Sequence, residues 1–348
     1  MLAAVYEGIG KLELKELPPP RIEEDNLLIK VKVCAICGTD VKAFTRGISR
    51  ITIPVILGHE FVGEVVEIGN KVRDFNIGDR ITMATTISCG KCEYCTTGLG
   101  NLCADVLPVG TVTDGAFCEY MAIPSAGIQR GNVLKVPEEI TDEEGALSEP
   151  LGCVINGQNI AEVKTGDTVV IIGAGPIGCM HIEVARARGA TQIIVVQRSE
   201  TRLKLAAQFD VDALINSSRE DPVARALTFT QGKGADVVIV AAPSNEASEK
   251  GLQMLAKGGR LSLFSSFFKD NPYLHLDGNR IHYRQIKVCG ASDSTPFHQR
   301  IALDLLRKGK INTGALITHR FPLSQIISAF DTAVQGKGLK IIIQPEGK

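Results

Sequence analysis

The sequence contains no tryptophan and no excess of either charge. Its 38 lysines and arginines are offset by 39 aspartates and glutamates, so the formal net charge is -1, and no block of like charge stands out. A protein that binds nucleic acid or a membrane surface usually carries a basic face. The charge balance therefore argues against partners of both kinds.

Long apolar runs are also absent. No run reaches the ~18 residues that a membrane-spanning helix needs. The first residues, Met1–Glu7, lack the basic stretch and following apolar stretch of a secretory signal peptide. Ten cysteines in a chain without a visible export signal indicate a reducing compartment, where thiols serve metal binding or core packing. We therefore expect a cytoplasmic protein.

The length of 348 residues exceeds what one hydrophobic core usually supports, so two domains are expected. The chain up to about residue 150 has the pattern of short strands separated by turns. From about residue 165, buried strands and helices alternate, which indicates a parallel sheet with right-handed crossovers. The strand-like runs are Thr168–Ile172, Gln192–Val196, Ala235–Val240 and Gly259–Phe264. The sequence thus predicts an α/β fold in two parts, a mainly β part up to about residue 150 and a part with a parallel sheet from about residue 165.

Four cysteines lie close together, at Cys89, Cys92, Cys95 and Cys103. Four thiolates at this spacing can surround one tetrahedral ion, and an all-sulfur tetrahedron suits Zn²⁺ in a closed, structural site. The alternatives are disulfide bonds, four unrelated core cysteines, or an iron–sulfur cluster, which also takes four cysteines. Disulfides belong to oxidising compartments, and nothing in the sequence indicates export. We therefore predict a structural zinc site, in a lobe of about residues 85–110.

A glycine-rich run, Gly173-Ala-Gly175-Pro176-Ile177-Gly178, directly follows the first buried strand and opens a helix. Strand, turn and helix in this order are the context in which a GxGxxG sequence binds a dinucleotide. The glycines allow a tight turn and a close approach to the pyrophosphate, and the helix N-terminus provides unpaired N–H groups. We predict that these glycines, with Pro176 and Ile177, contact a dinucleotide cofactor.

The end of the second strand predicts the choice between NAD(H) and NADP(H). An acidic residue there would bind the ribose 2′-hydroxyl and favour NAD(H). The sequence instead has Gln197 followed by Arg198, with Arg202 one helical turn later. Glutamine removes the charge that would repel a 2′-phosphate, and an arginine guanidinium suits phosphate. These residues favour NADP(H); the alternative is that Arg198 is a solvated residue at a helix start and that the protein binds NAD(H).

A second group of candidate metal ligands consists of Cys37, His59, Glu60 and Glu149. The first three lie in Cys37-Gly-Thr-Asp and Gly-His59-Glu60, and Glu149 stands at the boundary between the two parts of the chain. A cysteine, a histidine and a carboxylate can hold a zinc ion while leaving one position open, as catalysis requires. A lone cysteine and a lone histidine are more often core residues, and Glu149 alone would be an exposed acid before a proline. The nucleotide motif and the four-cysteine group together favour the metal site.

With these motifs the chain resembles the zinc-dependent medium-chain dehydrogenases, and most closely their polyol (sorbitol-type) and threonine dehydrogenase branch, over essentially its whole length. The stretches that carry the resemblance are Cys37–Asp40, Gly58–Glu60, the four-cysteine lobe, Ser148–Leu151, Gly173–Gly178, Ile281–Arg284 and Leu316–Pro322. The family implies a GroES-like, mainly β catalytic domain of residues 1–151 and 291–348. It also implies a Rossmann domain of residues 152–290 with a doubly wound parallel sheet, and a homodimer or homotetramer.

The resemblance implies roles for individual residues. Cys37 and His59 match ligands of a catalytic zinc, and Glu60 and Glu149 match carboxylates that bind it directly or through water. Thr39 matches the hydroxyl that passes the substrate proton towards solvent, and the four-cysteine lobe matches the structural zinc site. The expected reaction is reversible oxidation of a secondary alcohol to a ketone by hydride transfer to the nicotinamide.

Two departures from the family pattern concern the substrate. Lys42 stands where polyol dehydrogenases often have a histidine, and the segment Gly290–Pro296 lacks the arginine that sorbitol dehydrogenases often carry near the substrate. The scarcity of aromatics favours a hydroxylated substrate; a sugar alcohol, its phosphate, a sugar acid and an inositol derivative all stay open. Two alternatives to such an enzyme are a non-catalytic, nucleotide-responsive zinc protein and a zinc-free quinone reductase. The first has no reason to keep an open metal site, and the second should lack both groups of ligands.

Overall fold

A computed structural model describes residues 1–345 and divides the chain into two compact units. Unit 1 comprises Met1–Cys153, Asp293–Gly309 and the described residues from Ile317 onward, and unit 2 comprises Val154–Ser292 and Lys310–Leu316. The domain limits predicted from the sequence lie near these bounds, but the prediction did not include the short return to unit 2 after Gly309. As an assignment of functional domains, those limits stay a prediction.

The strands are β1 (Leu2–Gly8), β2 (Lys11–Glu16), β3 (Leu27–Ala35), β4 (Val55–Ile56), β5 (Glu60–Ile68), β6 (Arg80–Met83), β7 (Thr86–Ile87), β8 (Leu107–Pro108), β9 (Tyr120–Ile123), β10 (Val133–Lys135), β11 (Thr168–Ile172), β12 (Gln192–Gln197), β13 (Ala213–Asn216), β14 (Ala235–Val240), β15 (Leu255–Leu263), β16 (Lys287–Gly290), β17 (Ile317–Pro322) and β18 (Lys340–Gln344).

The helices are α1 (Gly38–Arg46), α2 (Glu93–Thr96), α3 (Ser125–Gln129), α4 (Asp142–Ala146), α5 (Ser148–Ile160), α6 (Pro176–Ala187), α7 (Glu200–Ala206), α8 (Pro222–Phe229), α9 (Asn245–Met254), α10 (Gly278–Arg284), α11 (Pro296–Arg307), α12 (Thr313–Leu316) and α13 (Ile326–Val334), with 3₁₀ turns at Gly100–Leu102 and Leu323–Gln325. Among the described helices, none is long and apolar enough to cross a membrane.

Unit 1 is built on a seven-stranded sheet in the order β10-β6-β5-β3-β18-β17, with β9 paired to β3. Strand β3 is central because it pairs antiparallel with β5, β9 and β18. The three-stranded sheet β2-β1-β4 and the hairpin β7-β8 complete the β structure of this unit. The core contains Leu27, Ile29, Phe61, Phe117 and Phe330, all fully buried. Burial of this apolar area stabilises the sheet around the end of β3, where the candidate ligands lie.

Unit 2 contains a six-stranded sheet in the order β13-β12-β11-β14-β15-β16, in which every neighbouring pair is parallel. The apolar run of β11 is buried in the middle of this sheet, as its composition predicts. The chain order reverses between β11 and β14. In sheets of this kind, ligands bind at the carboxyl ends of the strands where such a reversal occurs.

Candidate functional site

The four-cysteine group forms a lobe in which the sulfur atoms converge. The Sγ atom of Cys92 is 3.4 Å from that of Cys95 and 3.8 Å from that of Cys103, and the Sγ atoms of Cys89 and Cys95 are 3.9 Å apart. These distances far exceed the ~2.05 Å of a disulfide bond, and all four cysteines are free. A zinc ion with bonds of ~2.3 Å to four sulfurs at tetrahedral positions would hold those sulfurs about 3.8 Å apart. The four thiols therefore fit a closed, tetrahedral metal site.

Local contacts determine the turn between Cys89 and Cys92 and the pKa of Cys95. Gly90 adopts a φ of +75°, which allows the turn between Cys89 and Cys92. A hydrogen bond from the Ser88 side chain lowers the pKa of Cys95 to about 6. The Cys95 thiol is therefore mainly thiolate at neutral pH, the form that binds a metal. A backbone hydrogen bond lowers the pKa of Cys92, but desolvation and the neighbouring thiols outweigh it and raise this pKa to about 11.

Cys37, His59 and Glu60 form a second group in unit 1, with one donor atom of each within 4.8 Å of the others. Cys37 is the N-cap of α1, and its Sγ accepts the backbone N–H of Thr39 at 3.4 Å. Glu60 begins β5 and is paired with Ala35 at the end of β3. The pairing of these two strands therefore brings together ligands that are separated in sequence.

Gly58 determines how the chain enters His59. Its φ is +95°, and a Cβ atom at this position would lie 2.8 Å from Sγ of Cys34 and 3.0 Å from the ring of Phe117. Only glycine suits both the conformation and the available space. The glycine of Gly-His-Glu is thus required by the backbone, whereas the histidine and glutamate provide the donor atoms.

Asp40 is a buried carboxylate that supports the same group. Its Oδ2 accepts the backbone N–H of Cys37 at 2.8 Å, and its Oδ1 lies 3.5 Å from Nδ1 of His59. Burial lowers the pKa of His59, but the charges of Asp40 and Cys37 outweigh burial and raise this pKa well above its usual value. Within residues 1–345 neither Oδ1 nor Nδ1 has a well-aligned hydrogen-bond partner, and the two atoms face each other at 3.5 Å. This fits a metal-binding histidine, which coordinates through one ring nitrogen and directs the other N–H at a carboxylate.

The carboxylate of Glu60 is paired with Lys340. The ammonium group of Lys340 donates to Oε1 of Glu60 at 2.6 Å and also to Oε2. The two side chains are 2% and 0% exposed, respectively. One of the candidate ligands therefore has a buried cation as its neighbour.

Glu149 lies in the first turn of α5 and belongs to an adjoining group. A carboxylate oxygen of Glu149 lies within 4.8 Å of Sγ of Cys153 and of a carboxylate oxygen of Asp293, and the thiol of Cys153 contacts Oε1 at 3.9 Å. Burial raises the pKa of Glu149 to about 8, and the charge of Glu60 acts in the same direction. The sequence did not indicate whether Glu60 or Glu149 lies nearer to Cys37 and His59. In the structure Glu60 belongs to the group with Cys37 and His59, whereas Glu149 belongs to the adjoining group.

In unit 2, the glycine-rich run connects β11 to α6. Gly173 has a φ of +107°, and a Cβ atom on Gly178 would lie 1.8 Å from the carbonyl oxygen of Gly173. Gly175 is the N-cap of α6 without a side-chain hydrogen bond, and Pro176 begins the helix. Gly175, Pro176 and Ile177 are partly exposed. The run therefore has the backbone and the free helix N-terminus that a pyrophosphate group needs.

The candidate ribose contacts lie at the end of β12 and the start of α7. Oε1 of Gln197 accepts the backbone N–H groups of Arg198 at 2.7 Å and of Ser199 at 3.3 Å. The guanidinium group of Arg202 reaches the glycine-rich run, since its Nη1 lies 3.0 Å from the position of a Cβ atom on Gly175. Arg202 therefore places a positive charge beside the candidate pyrophosphate site.

Comparisons with known proteins agree with this fold and these sites. Residues 23–138 match the family model described as the alcohol dehydrogenase GroES-like domain, and residues 176–306 match the model described as zinc-binding dehydrogenase. Sorbitol dehydrogenase of Halalkalibacterium halodurans is 33% identical over 346 residues, which cover 99% of this chain and 98% of the relative. L-threonine 3-dehydrogenase of Bacillus licheniformis is 34% identical over 333 residues, which cover 94% of each chain.

A solved structure gives the same result. A putative zinc-binding dehydrogenase from Sinorhizobium meliloti, bound to NADP, superposes with a TM-score of 0.91 at 32% identity, covering 99% of both chains. The fold and these matches define a zinc-binding, NAD(P)-dependent alcohol or polyol dehydrogenase. The chain belongs to the zinc-dependent medium-chain dehydrogenase family, in its polyol and threonine dehydrogenase-like branch. The predicted family, fold class and enzyme class are therefore confirmed, and the non-catalytic alternative finds no support.

Sequence reasoning missed several residues of the site. Asp40 lies within the Cys-Gly-Thr-Asp motif. Because a metal-binding histidine usually donates its second N–H to a carboxylate, this position could have predicted that Asp40 supports His59. Cys153 lies one helical turn after Glu149 in α5, which is a visible but weak signal. Asp293 and Lys340 had no local signal, because both reach the site through the tertiary structure.

Proposed function

We propose that this protein oxidises a secondary hydroxyl group of a polyol or sugar derivative to a ketone, reversibly, with NADP⁺ as the hydride acceptor. The observation that carries the proposal is the convergence of Cys37, His59 and Glu60 in one unit of a zinc-binding dehydrogenase fold. Sorbitol, D-arabitol-phosphate and L-threonine dehydrogenases are among the relatives, and these names support a hydroxylated substrate.

In this proposal Cys37, His59 and Glu60 hold the catalytic zinc, and Glu149 in the adjoining group binds it directly or through water. A zinc ion bound there would act as a Lewis acid that lowers the pKa of a substrate hydroxyl. Asp40 orients the imidazole of His59 through Nδ1. Among Cys37, His59 and Glu60, the thiolate of Cys37 and the carboxylate of Glu60 carry the negative charge.

Thr39 serves as the first acceptor of the substrate proton in this proposal. Its backbone N–H contacts Sγ of Cys37, so the residue is held next to the metal group, and its side chain is half-buried. A hydroxyl can accept one proton while it donates another, so Thr39 can pass the proton towards solvent. Because Lys42 stands two positions after the Cys37–Asp40 motif, the later part of the route does not rely on a histidine there.

Cys89, Cys92, Cys95 and Cys103 hold a second, structural zinc in this proposal. The sulfur–sulfur distances of 3.4 to 3.9 Å support it, because they match the edges of a zinc–thiolate tetrahedron. All four positions are then occupied by protein, so this ion stabilises its lobe and does not contact substrate.

Unit 2 binds the cofactor in this proposal. The free N–H groups at the start of α6 bind the pyrophosphate, with Gly173, Gly175 and Gly178 allowing its close approach. Arg198 and Arg202 favour a 2′-phosphate, and the uncharged Gln197 does not repel it. The structural relative bound to NADP supports this preference. The nicotinamide would accept the hydride.

We further propose a cytoplasmic homodimer or homotetramer. Strand β16 supports self-association, because it is an edge strand of the unit 2 sheet and Val288 on it is 38% exposed. Edge strands with unpaired N–H and C=O groups readily pair with a second chain. Sedimentation of the purified protein measures the assembly state, and a monomer would contradict this part of the proposal.

The function is tested by assaying polyols, their phosphates and simple secondary alcohols with NADP⁺ and NAD⁺ in parallel. We expect turnover of at least one polyol, with higher kcat/KM for NADP⁺. Cys37→Ala should abolish turnover while NADPH still binds, because the residue lies in unit 1 and the nucleotide loop in unit 2. Full activity of Cys37→Ala would refute the catalytic assignment, and a strong preference for NAD⁺ would refute the roles of Gln197 and Arg198.

A further inference from the structure

Lys340 is a buried lysine beside the candidate catalytic metal group. Its side chain is 2% exposed, and its ammonium group donates to both carboxylate oxygens of Glu60, which is 0% exposed. Lysine is almost never fully buried unless it is paired. Both oxygens through which Glu60 would bind a metal thus have the same cationic neighbour.

Strand register brings the pair together. Ile342 of β18 is paired with Ala35 of β3, and Ala35 is paired with Glu60 of β5. The backbone N–H of Ile36 donates to the carbonyl of Ile341 at 2.9 Å, which continues the register by one residue. One further step in the same antiparallel register places Lys340 opposite Cys37. The end of β3 therefore brings together a thiol from the N-cap of α1, a carboxylate from β5 and an ammonium group from β18.

Core stability alone does not account for a lysine at this position. The next three residues of β18, Ile341–Ile343, are all buried isoleucines. An apolar side chain would continue this pattern, and a buried ion pair is often no more stabilising than apolar residues of similar volume. A buried ion pair next to a candidate metal site is better explained by its effect on that site.

We propose that Lys340 is a positioning residue that restrains Glu60 and keeps it a weakly held metal ligand. The inference rests on the proposed function, because it assumes a metal ion at Cys37, His59 and Glu60. The two hydrogen bonds compete with the metal for the carboxylate oxygens, and the ammonium charge offsets part of the negative charge of the donor set. A coordination position thereby stays available to the substrate hydroxyl.

The inference predicts the effect of removing the ammonium group. In Lys340→Met the carboxylate of Glu60 loses its competitor and binds the metal more firmly. We expect release of this metal to a chelator to slow by about tenfold, since neighbouring groups of this kind change metal affinity by about 10–100-fold. We expect kcat to fall by a similar factor, with KM for NADP⁺ unchanged.

Cobalt placed in the Cys37 site provides a readout that does not depend on turnover. Four-coordinate cobalt absorbs more strongly in the visible region than five-coordinate cobalt. Lys340→Met should weaken these bands, because a Glu60 carboxylate released from both hydrogen bonds can bind through both oxygens and so raise the coordination number. Lys340→Arg, which keeps the positive charge on a guanidinium group able to donate to both oxygens, should restore the spectrum and the release rate towards those of the unaltered protein. Lys340→Gln, which keeps a donor without the charge, should be intermediate and serves if the Met variant does not fold.

Arg260→Met is the matched control. Arg260 and Asp167 form a buried pair in unit 2, with Nη2 and Oδ2 2.8 Å apart and side chains 8% and 6% exposed. Its loss should lower the melting temperature without changing cobalt bands or metal release. If Lys340→Met and Lys340→Gln change only the melting temperature, as Arg260→Met does, the inference is wrong and Lys340 is purely structural. If the unaltered protein holds no metal that Cys37→Ala removes, the proposed function itself fails, which is a separate outcome.

Discussion

Acidification should destabilise unit 2 through one buried histidine, His181 on α6. This residue is 0% exposed, its ring lies edge-on to that of Phe264 at 4.6 Å, and its Nδ1 is 3.3 Å from Nε2 of Gln158. Among the residues that the structure describes, none is a hydrogen-bond partner of its Nε2. Burial, assisted by the charge of Arg188, lowers the pKa of His181 to about 3. The folded protein therefore keeps this imidazole neutral across the physiological range.

The size of the effect follows from the difference between the folded and unfolded pKa values. An unfolded histidine has a pKa of about 6.5, so the shift of about 3.5 units corresponds to about 5 kcal/mol. This contribution is fully present above pH ~6.5 and is lost as the pH falls towards ~3, because only the unfolded chain gains the proton in that window. Between pH 7 and pH 5 the loss is about 2 kcal/mol.

Hydrogen exchange followed by mass spectrometry measures this effect locally. Peptides covering Thr168–Ile172 report the opening of the unit 2 sheet, separately from unit 1, whose candidate metal ligands would respond to acid themselves. We expect His181→Gln to abolish the extra loss of about 2 kcal/mol between pH 7 and pH 5. His275→Gln, at an exposed histidine of the same unit, should retain it. Equal pH dependence of the original protein and His181→Gln would refute the argument.

Three further predictions concern the cofactor loop and the structural metal. Gly178→Ala should abolish NADPH binding in calorimetry, because its Cβ would lie 1.8 Å from the carbonyl oxygen of Gly173. The control Gly278→Ala should bind NADPH normally, because a Cβ there has no atom within 4 Å. Normal binding by both variants would contradict the predicted loop. Arg202→Ala should weaken binding of NADP⁺ more than that of NAD⁺ in parallel titrations, since Arg202 follows Arg198 by one helical turn near the end of β12, where a ribose 2′-phosphate would lie, and equal weakening would contradict a 2′-phosphate contact. Cys95→Ser should remove one equivalent of zinc by elemental analysis and lower the melting temperature, and an unchanged metal content would refute the four-thiolate site.

Short-range patterns predicted much of the fold and the cofactor loop. The apolar run Thr168–Ile172 followed by Gly173–Gly178 predicted a buried strand, a tight turn and a helix, and the structure contains all three. These features depend on backbone sterics and on burial within a few residues, so the local sequence contains their cause. The domain limits were harder, because the return of Lys310–Leu316 to unit 2 has no compositional marker.

The two groups of candidate ligands differ in how far the local sequence predicts that their donor atoms meet. Cys89, Cys92, Cys95 and Cys103 lie within one lobe, and their spacing alone predicts that the thiols meet. The relative positions of Glu60 and Glu149 had no such basis, because strand pairing aligns the first with the end of β3 while a helix carries the second.

The sequence by itself determined the family, the parallel nucleotide-binding sheet, the glycine-rich loop and the residues able to bind metal. Only the tertiary structure decided that Cys37, His59 and Glu60 form one group and Glu149 an adjoining one, and which charges surround them. Lys340 shows why. It meets Glu60 through the register of three neighbouring strands, and register depends on packing of the whole sheet, which no local pattern records.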